Sequence, residues 1–334
     1  MPEISVIMST YNEKLEHLHK AITSVQKQTF KDFEFIIILD NPQNHIIRNC
    51  IHHYAQNDAR IRIIENETNI GLTQSLNKAI KTANGIYMAR MDADDIMAKT
   101  CLERELSEIK RCHLDFVSAS KINIDENGHK LGTYINDFSP EQMKKLLPFD
   151  NSINHPTVMV RLDLVRTEGG YREIPSCEDY DLWLRLLFHG CSMRILPQIL
   201  LKYRIRSNGI CESNAYRLYL SKRFLLNLYQ KSKKNPKLWK DNHAFEKYLC
   251  TQDTSPKKQQ RFNQAYALLY QSIGCCKSKY FHKAIPLFIR AIRLDKDMLW
   301  IIRNKLSYQM RKRIVLSIPA YHRYQRSAPK NAAQ

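Results

Sequence analysis

Three carboxylates within four residues, Asp92, Asp94 and Asp95, repel one another unless something positive stands among them. A hard divalent cation such as Mg²⁺ or Mn²⁺ meets that need when it keeps its waters and is shared with substrate phosphates. Asp92 and Asp94 lie two apart, so on an extended segment both face one ligand. A second acidic group, Glu178-Asp179-Tyr180-Asp181, opens a helical stretch that contains Trp183 and Arg185. There Asp179 suits a general base that takes a proton from an attacking hydroxyl. Plainer readings stand beside these. Asp94 or Asp95 can cap a helix before Ile96, and the acids near 179 can face a helix dipole. Asp181 and Arg185 can form an i,i+4 ion pair.

Tyr11 offers a flat face for a base, or a wall of the core. Asp40 can accept from a base or ribose, or close an Asx-turn before Pro42. His155, just before Pro156, fits a structural histidine or a site wall, and Trp183 and Glu178 are further wall or acceptor candidates. No glycine-rich phosphate loop of the dinucleotide or P-loop kind is present. A metal, rather than a cradle of backbone amides, is therefore expected to carry a diphosphate.

The elements that must position these residues alternate. Ile4–Ser9 and Phe33–Leu39 are apolar, β-branched runs without strict alternation, which suits strands buried on both faces of a parallel sheet. Helical spacing over Leu15–Gln28, a helix around His45–Ala55, a strand Ile61–Glu65, a helix Leu72–Ala83 and a strand Ile86–Met91 complete a βαβ series. In such sheets ligands sit at the carboxyl ends of the strands. Three of these ends, Thr10-Tyr11-Asn12-Glu13, Asp40-Asn41 and Asp92-Ala93-Asp94-Asp95, are polar or acidic. Further strands are expected at Phe116–Ala119, Thr157–Val160 and, briefly, Met193–Leu196 before Pro197, with a helix over Tyr180–His189. The α/β domain is expected to span 1–210 and to end near Ser207–Gly209.

Beyond it, residues 211–334 read as basic helices: Tyr216–Lys231, Gln259–Ser278, Phe281–Asp295 and Leu299–Ser317. Phe281–Asp295 has the pattern of an ordinary amphipathic helix, and no second copy recurs at a repeat period. The chain has 334 residues and net charge +19, unevenly spread. The first 200 residues hold 23 basic and 27 acidic side chains, and the rest hold 29 and 6. A tail this positive seeks anionic surfaces. The nine cysteines are scattered without zinc or disulfide-scaffold spacing, consistent with reduced thiols. No secretory signal and no run of roughly 18–20 apolar residues is present, so a cytoplasmic location is expected.

With those residues laid out, the chain resembles the family-2 glycosyltransferases of the GT-A fold, the group of many bacterial polysaccharide-forming enzymes. The likeness covers roughly residues 3–210. It rests on S-V-I-M-S-T-Y-N-E, I-L-D-N-P-Q-N, N-I-G-L-T-Q-S-L-N, Y-M-A-R-M-D-A-D-D, H-P-T-V-M and C-E-D-Y-D-L-W-L-R-L in the family's order. The resemblance implies a Rossmann-like, mostly parallel sheet flanked by helices and an inverting transfer of a hexose or N-acetylhexosamine from a UDP-sugar to a glycan hydroxyl. It puts Thr10, Tyr11, Glu13, Asp40, Asp92 and Ala93 on the donor, Asp94 on Mn²⁺ or Mg²⁺, and Asp179 as the base. Cell-surface polysaccharide or lipopolysaccharide synthesis is the implied setting.

Two departures stand out. Many relatives carry a second acid after the second strand, where this chain has Asn41. Many also carry Y-R-x-H, where this chain has Tyr203-Arg204-Ile205-Arg206. An arginine does not ligate a cation but clamps phosphate, so Arg206 is expected on the donor. In the tail, Leu299–Arg326 mixes apolar, aromatic and basic residues, which suits a helix lying on the inner face of the cell membrane, where a lipid-linked acceptor would reside, or packing on the catalytic domain. Two rival readings remain open at this point: a catalytically silent nucleotide-sugar-binding scaffold, and a nucleic-acid-binding protein acting through the tail. No known nucleic-acid module is present, so no nucleic-acid partner is expected.

Overall fold

The computed structural model describes residues 1–206 and 215–317. It divides into two compact units, one containing residues 1–144, 152–173 and 178–206, the other residues 145–151, 174–177 and the described helices from Ala215 onward. The boundary expected near Ser207–Gly209 falls outside the described residues.

The first unit opens with β1 (Ile4–Thr10), α1 (Leu15–Gln26), β2 (Phe33–Leu39), α2 (His45–Asn57), β3 (Ile61–Glu65), α3 (Leu72–Thr82) and β4 (Tyr87–Asp92). All seven β2 residues are buried, as expected of a strand covered on both faces. α1 turns Leu18, Ile22 and Val25 onto β1 and β2, packing against Val6, Met8 and Ile37 in one core. The unit continues through β5 (Ile96–Met97), α4 (Cys101–Cys112), β6 (Phe116–Ile124), β7 (Lys130–Tyr134), α5 (Pro140–Leu146), β8 (Met159–Arg161), α6 (Leu162–Thr167), α7 (Glu178–Phe188) and β9 (Met193–Arg204). The sheet order is β3-β2-β1-β4-β8-β6-β9-β5, with β7 paired to β6. β1 runs parallel to both β2 and β4, whereas β8 is antiparallel to its neighbours β4 and β6. The chain leaves β1 on one side to β2 and β3, then returns to its other side as β4. The carboxyl ends of β1 and β4 therefore flank a topological switch point, where ligands bind in open α/β sheets.

Two expectations are corrected. β9 does not stop before Pro197 but runs to Arg204, because its register against β6 shifts between Ala119 and Lys121. A proline without an N–H is tolerated at such an irregularity. Residues His155–Thr157 form a 3-10 turn rather than the start of a strand, which begins at Met159.

The second unit is helical: α8 (Ala215–Ser232), α9 (Ala244–Leu249), α10 (Pro256–Lys277), α11 (Phe281–Leu294) and α12 (Met298–Ser317). Its core gathers Tyr216, Tyr219, Phe262, Leu269 and Met298. Lys258, nearly buried, is held by Asp295 and Asp297, each at 2.7 Å, and Tyr219 Oη donates to Asp297 at 2.9 Å. Such a buried cation is tolerated because its donors are filled. Among the described residues, eight cysteines are free thiols. No described helix is long and apolar enough to cross a membrane.

Candidate active site

Three neighbouring parallel strands end together. Thr10 pairs with Leu39 and Ser9 with Asp92, so Tyr11, Asp40 and Asp92 emerge from adjacent strand tips about 5 Å apart. The Asp40 backbone N–H donates to Thr10 O at 2.9 Å, locking two of these tips. Tyr11 is 44% exposed, so its ring is a surface rather than a core wall.

Asp40 is buried and its carboxylate works on the protein itself. It accepts from Asn66 Nδ2 at 2.8 Å, Ile70 N at 3.0 Å and Gly71 N at 2.9 Å. Gly71 has φ +84°, a left-handed conformation that its missing Cβ permits. Asp40 thus ties the loop 66–71 to the β2 tip. The Asx-turn at Pro42 belongs instead to Asn41, whose Oδ1 accepts from Gln43 N at 3.2 Å.

After β4 the chain makes a tight turn into β5, so Asp94 and Asp95 do not cap a helix. Asp92 Oδ1 lies 2.5 Å from Arg90 Nη2. Asp94 is nearly buried, with Oδ2 2.5 Å from Arg206 Nε, while Arg206 Nη2 lies 3.7 Å from Glu13 Oε1. Glu13 Oε2 accepts from Thr10 Oγ1 at 2.6 Å and Tyr11 N at 2.8 Å. Burial raises the Asp94 carboxyl above its usual range, Arg206 opposes the rise, and Asp92 and Glu13 add to it. Asp95 is fully buried and pushed well up, first by burial and then by Asp92 and Asp94. Its Oδ1 accepts from Arg204 N at 2.7 Å, and Arg204 Nε donates to Asp94 O at 2.9 Å. Asp95 therefore anchors the end of β9 beneath the turn, while Asp92 is partly exposed and Asp94 is turned to Arg206. Ala93, between them, is buried and small.

The start of α7 borders the same space. Tyr180 N donates to Asp179 Oδ1 at 2.6 Å. Burial, then the charge of Asp179, pushes the Glu178 carboxyl up to about 7, with Arg90 opposing and Asp92 reinforcing the shift. Asp92 is thus felt at Glu178 as well as at Asp94 and Asp95. Asp181 points inward: it is fully buried, and both Arg172 and Arg185 grip it. The i,i+4 pair with Arg185 forms as expected and is widened by Arg172, which fixes the helix start without reaching the site.

Behind these acids stands an aromatic wall. His155 Nε2 lies 2.8 Å from Tyr171 Oη, and its ring meets Trp183 edge-on at 5.8 Å. Burial, then the neighbouring Arg90, depresses His155 to about 3, so the imidazole is neutral. Trp183 is fully buried, packed on Phe116 at 4.9 Å. It supports His155 from within.

The sequence reading missed Arg90. It is 1% exposed, and its Nε and Nη1 have no protein partner in the structure. A guanidinium in the middle of a core strand was the available signal, since burying a charge demands a nearby counter-charge. Arg204 and Tyr171 were missed for a different reason: each acts on the turn or the wall through contacts distant in sequence.

For a cation, the donor chemistry is selective. Among the described residues no three His, Cys, Asp or Glu side chains converge on one point. An all-protein cage does not fit. A Mg²⁺ or Mn²⁺ ion held by Asp94, with phosphate oxygens and waters as its other ligands, does fit.

The profile of Glycosyl transferase family 2 matches residues 5–166. An uncharacterized glycosyltransferase, MJ1057 of Methanocaldococcus jannaschii, is 36% identical over 242 residues, covering 70% of this chain and 81% of its own length. The O-antigen biosynthesis glycosyltransferase WbnJ of Escherichia coli is 34% identical over 238 residues, covering 67% and 91% respectively. Among solved structures, S. aureus TarS 1-349 in complex with UDP-GlcNAc superposes with a TM-score of 0.56 at 15% identity, over 85% of this chain and 90% of that one.

Proposed function

The chain belongs to glycosyl transferase family 2, has the GT-A fold and is a glycosyltransferase, and on that premise we propose an inverting, metal-assisted transfer of a hexose or N-acetylhexosamine from a UDP-sugar to a glycan hydroxyl. The observation that carries this reading is the register of β1, β2 and β4, which brings Tyr11, Asp40 and Asp92 to adjacent strand tips, with Arg206 set against Asp94 beside them. WbnJ is named for O-antigen biosynthesis, which supports a cell-surface polysaccharide or lipopolysaccharide product. TarS binds UDP-GlcNAc, which supports a UDP-sugar donor.

Tyr11 stacks on the uracil, the Asp40-held loop borders it, and Asp92 takes the ribose. Thr10 and Glu13 shape the floor between them, with Ala93 small enough to let the diphosphate approach. Asp94 would hold Mn²⁺ or Mg²⁺, and a cation bound there would offset the negative charge of the departing UDP. Asp179 accepts the proton of the acceptor hydroxyl. That oxygen bonds to the anomeric carbon as the bond from carbon to the UDP oxygen breaks on the opposite face. The configuration inverts and UDP leaves with the electron pair. The neutral His155 and the Trp183 behind it wall the acceptor side, with Glu178 at its edge. The acceptor is a glycan or a lipid-linked glycan, and the enzyme works in the cytoplasm at the inner face of the cell membrane. Residues 1–210 form the catalytic domain and 211–334 the accessory region.

A panel of UDP-sugars tests the reading. One donor is expected to release UDP in the presence of Mn²⁺ and to label a glycan acceptor. Binding of UDP with no turnover of any donor would favour a silent scaffold. Salt-sensitive binding of RNA or DNA with no UDP affinity would favour the nucleic-acid reading.

A further inference from the structure

The amphipathic pattern of Phe281–Asp295 predicts an apolar face turned inward, and the structure turns part of it out. In α11 the residues sealed in the core are the small ones, Ala284 and Ala291. Phe281, Ile285 and Ile289, one turn apart along one side, are 58%, 59% and 44% exposed. α12 repeats the arrangement. Ile301, Tyr308 and Val315 are buried, whereas Leu299, Leu306, Met310 and Ile314 are 52%, 59%, 64% and 60% exposed. Isolated exposed apolar residues are ordinary, but two stripes at helical spacing mark a contact surface.

Cations edge both stripes. On α11, His282 and Arg293 follow the apolar arc around the helix, with Lys283 and Arg290 beyond, all exposed. On α12, Arg303 and Arg313 lie beside Leu306, Met310 and Ile314, also exposed. Among the described residues, Arg290, Arg293, Arg303 and Arg313 form no ion pair, although other cations of this unit, such as Lys258 and Lys222, do.

We propose that these two stripes dock on an anionic lipid bilayer. The aliphatic side chains enter the boundary between headgroups and acyl chains, and the arginines bind lipid phosphates. Charge selects among the alternatives. A second copy meeting the same face about a two-fold axis would set the arginines against one another. Residues 318–334 carry His322, Arg323, Arg326 and Lys330 and no acid, so their charge does not complement the face. Nucleic acid would use the cations and leave the leucines and isoleucines in water. A lipid surface with anionic headgroups satisfies both features. The inference rests on the membrane setting proposed above and specifies the surface responsible for it.

The 334-residue chain is sedimented with vesicles of phosphatidylcholine alone and of phosphatidylcholine and phosphatidylglycerol in equal parts. It is expected to pellet with the mixed vesicles only. Ile285→Ser with Ile289→Ser, and separately Arg303→Gln with Arg313→Gln, are expected to weaken that binding by at least roughly tenfold. Donor hydrolysis without vesicles should be unchanged in both, since neither pair lies in the catalytic unit. Undiminished pelleting of either variant would overturn the proposal. So would a dimer of the wild-type chain that the isoleucine pair dissolves, or tighter binding to RNA than to mixed vesicles. Vesicle binding that persists where no donor is turned over supports docking while defeating the catalytic reading.

Discussion

Arg206 presents its Nε 2.5 Å from Asp94 Oδ2, so a guanidinium sits against the acid proposed to hold the metal. Burial, Asp92 and Glu13 all disfavour an ionised Asp94, and Arg206 is the charge that opposes them. A cation at Asp94 and the guanidinium compete for the same carboxylate. Once displaced, Arg206 is free to reach a donor phosphate, the role expected where many relatives carry histidine.

Removing that competitor should therefore tighten metal binding. Arg206→Ala is expected to bind Mn²⁺ several-fold more strongly in the absence of donor, read by the electron paramagnetic resonance signal of free Mn²⁺. The same variant should bind UDP more weakly. Weaker Mn²⁺ binding would show instead that Arg206 helps to build the metal site.

Asp179→Asn removes the base while keeping the shape of the α7 start. Transfer should fall by roughly 10²–10⁴-fold, with UDP affinity by calorimetry unchanged. Loss of UDP affinity would place Asp179 on the donor rather than on the acceptor.

Glu178 titrates at about 7 against an ordinary 4.5 because burial and the Asp179 charge disfavour its ionised form. Ionising it makes Asp179 a stronger proton acceptor, so kcat/KM should rise as pH passes about 7, and Glu178→Gln should flatten that limb. For stability the sign is opposite. The folded chain keeps a proton that the unfolded chain has released between 4.5 and about 7, so stability falls as pH rises across that window. Glu178→Gln should remove this fall from a series of thermal melts.

Asp181 is fully buried between Arg172 and Arg185. Asp181→Ala leaves two guanidinium groups facing a cavity and should cost about 3–5 kcal/mol in denaturant unfolding. A loss below about 1 kcal/mol would mean that both arginines find other partners at little cost.

Much of this arrangement is legible in the residues alone. β2 and β3 are bounded as their apolar runs predict; for β2 the reason is that a run buried on both faces leaves no ambiguity of period. The acidic strand tips follow from the same logic, since polar residues that end core strands must sit on one edge. What stays hidden is long-range. Asp40 reads as a ligand for a base or ribose, and only the fold shows its carboxylate also holding Asn66, Ile70 and Gly71. Asp95 and Asp94 are adjacent and chemically identical, yet one anchors Arg204 and the other faces Arg206. The α11 pattern correctly marks an amphipathic helix but cannot say which side meets the core. Periodicity reports a face, not its partner.

The account turns on Asp94, at the β4 tip, holding a cation that carries the diphosphate of a donor lying across the neighbouring strand tips. UDP release from the accepted donor, followed with and without Mn²⁺ in the wild type and in Asp94→Ala, tests this most directly. Release should require Mn²⁺ in the wild type and fall to background in the variant, whose fold should be intact by circular dichroism. Equal release with and without metal, or an Asp94→Ala chain that turns over like the wild type, would contradict it.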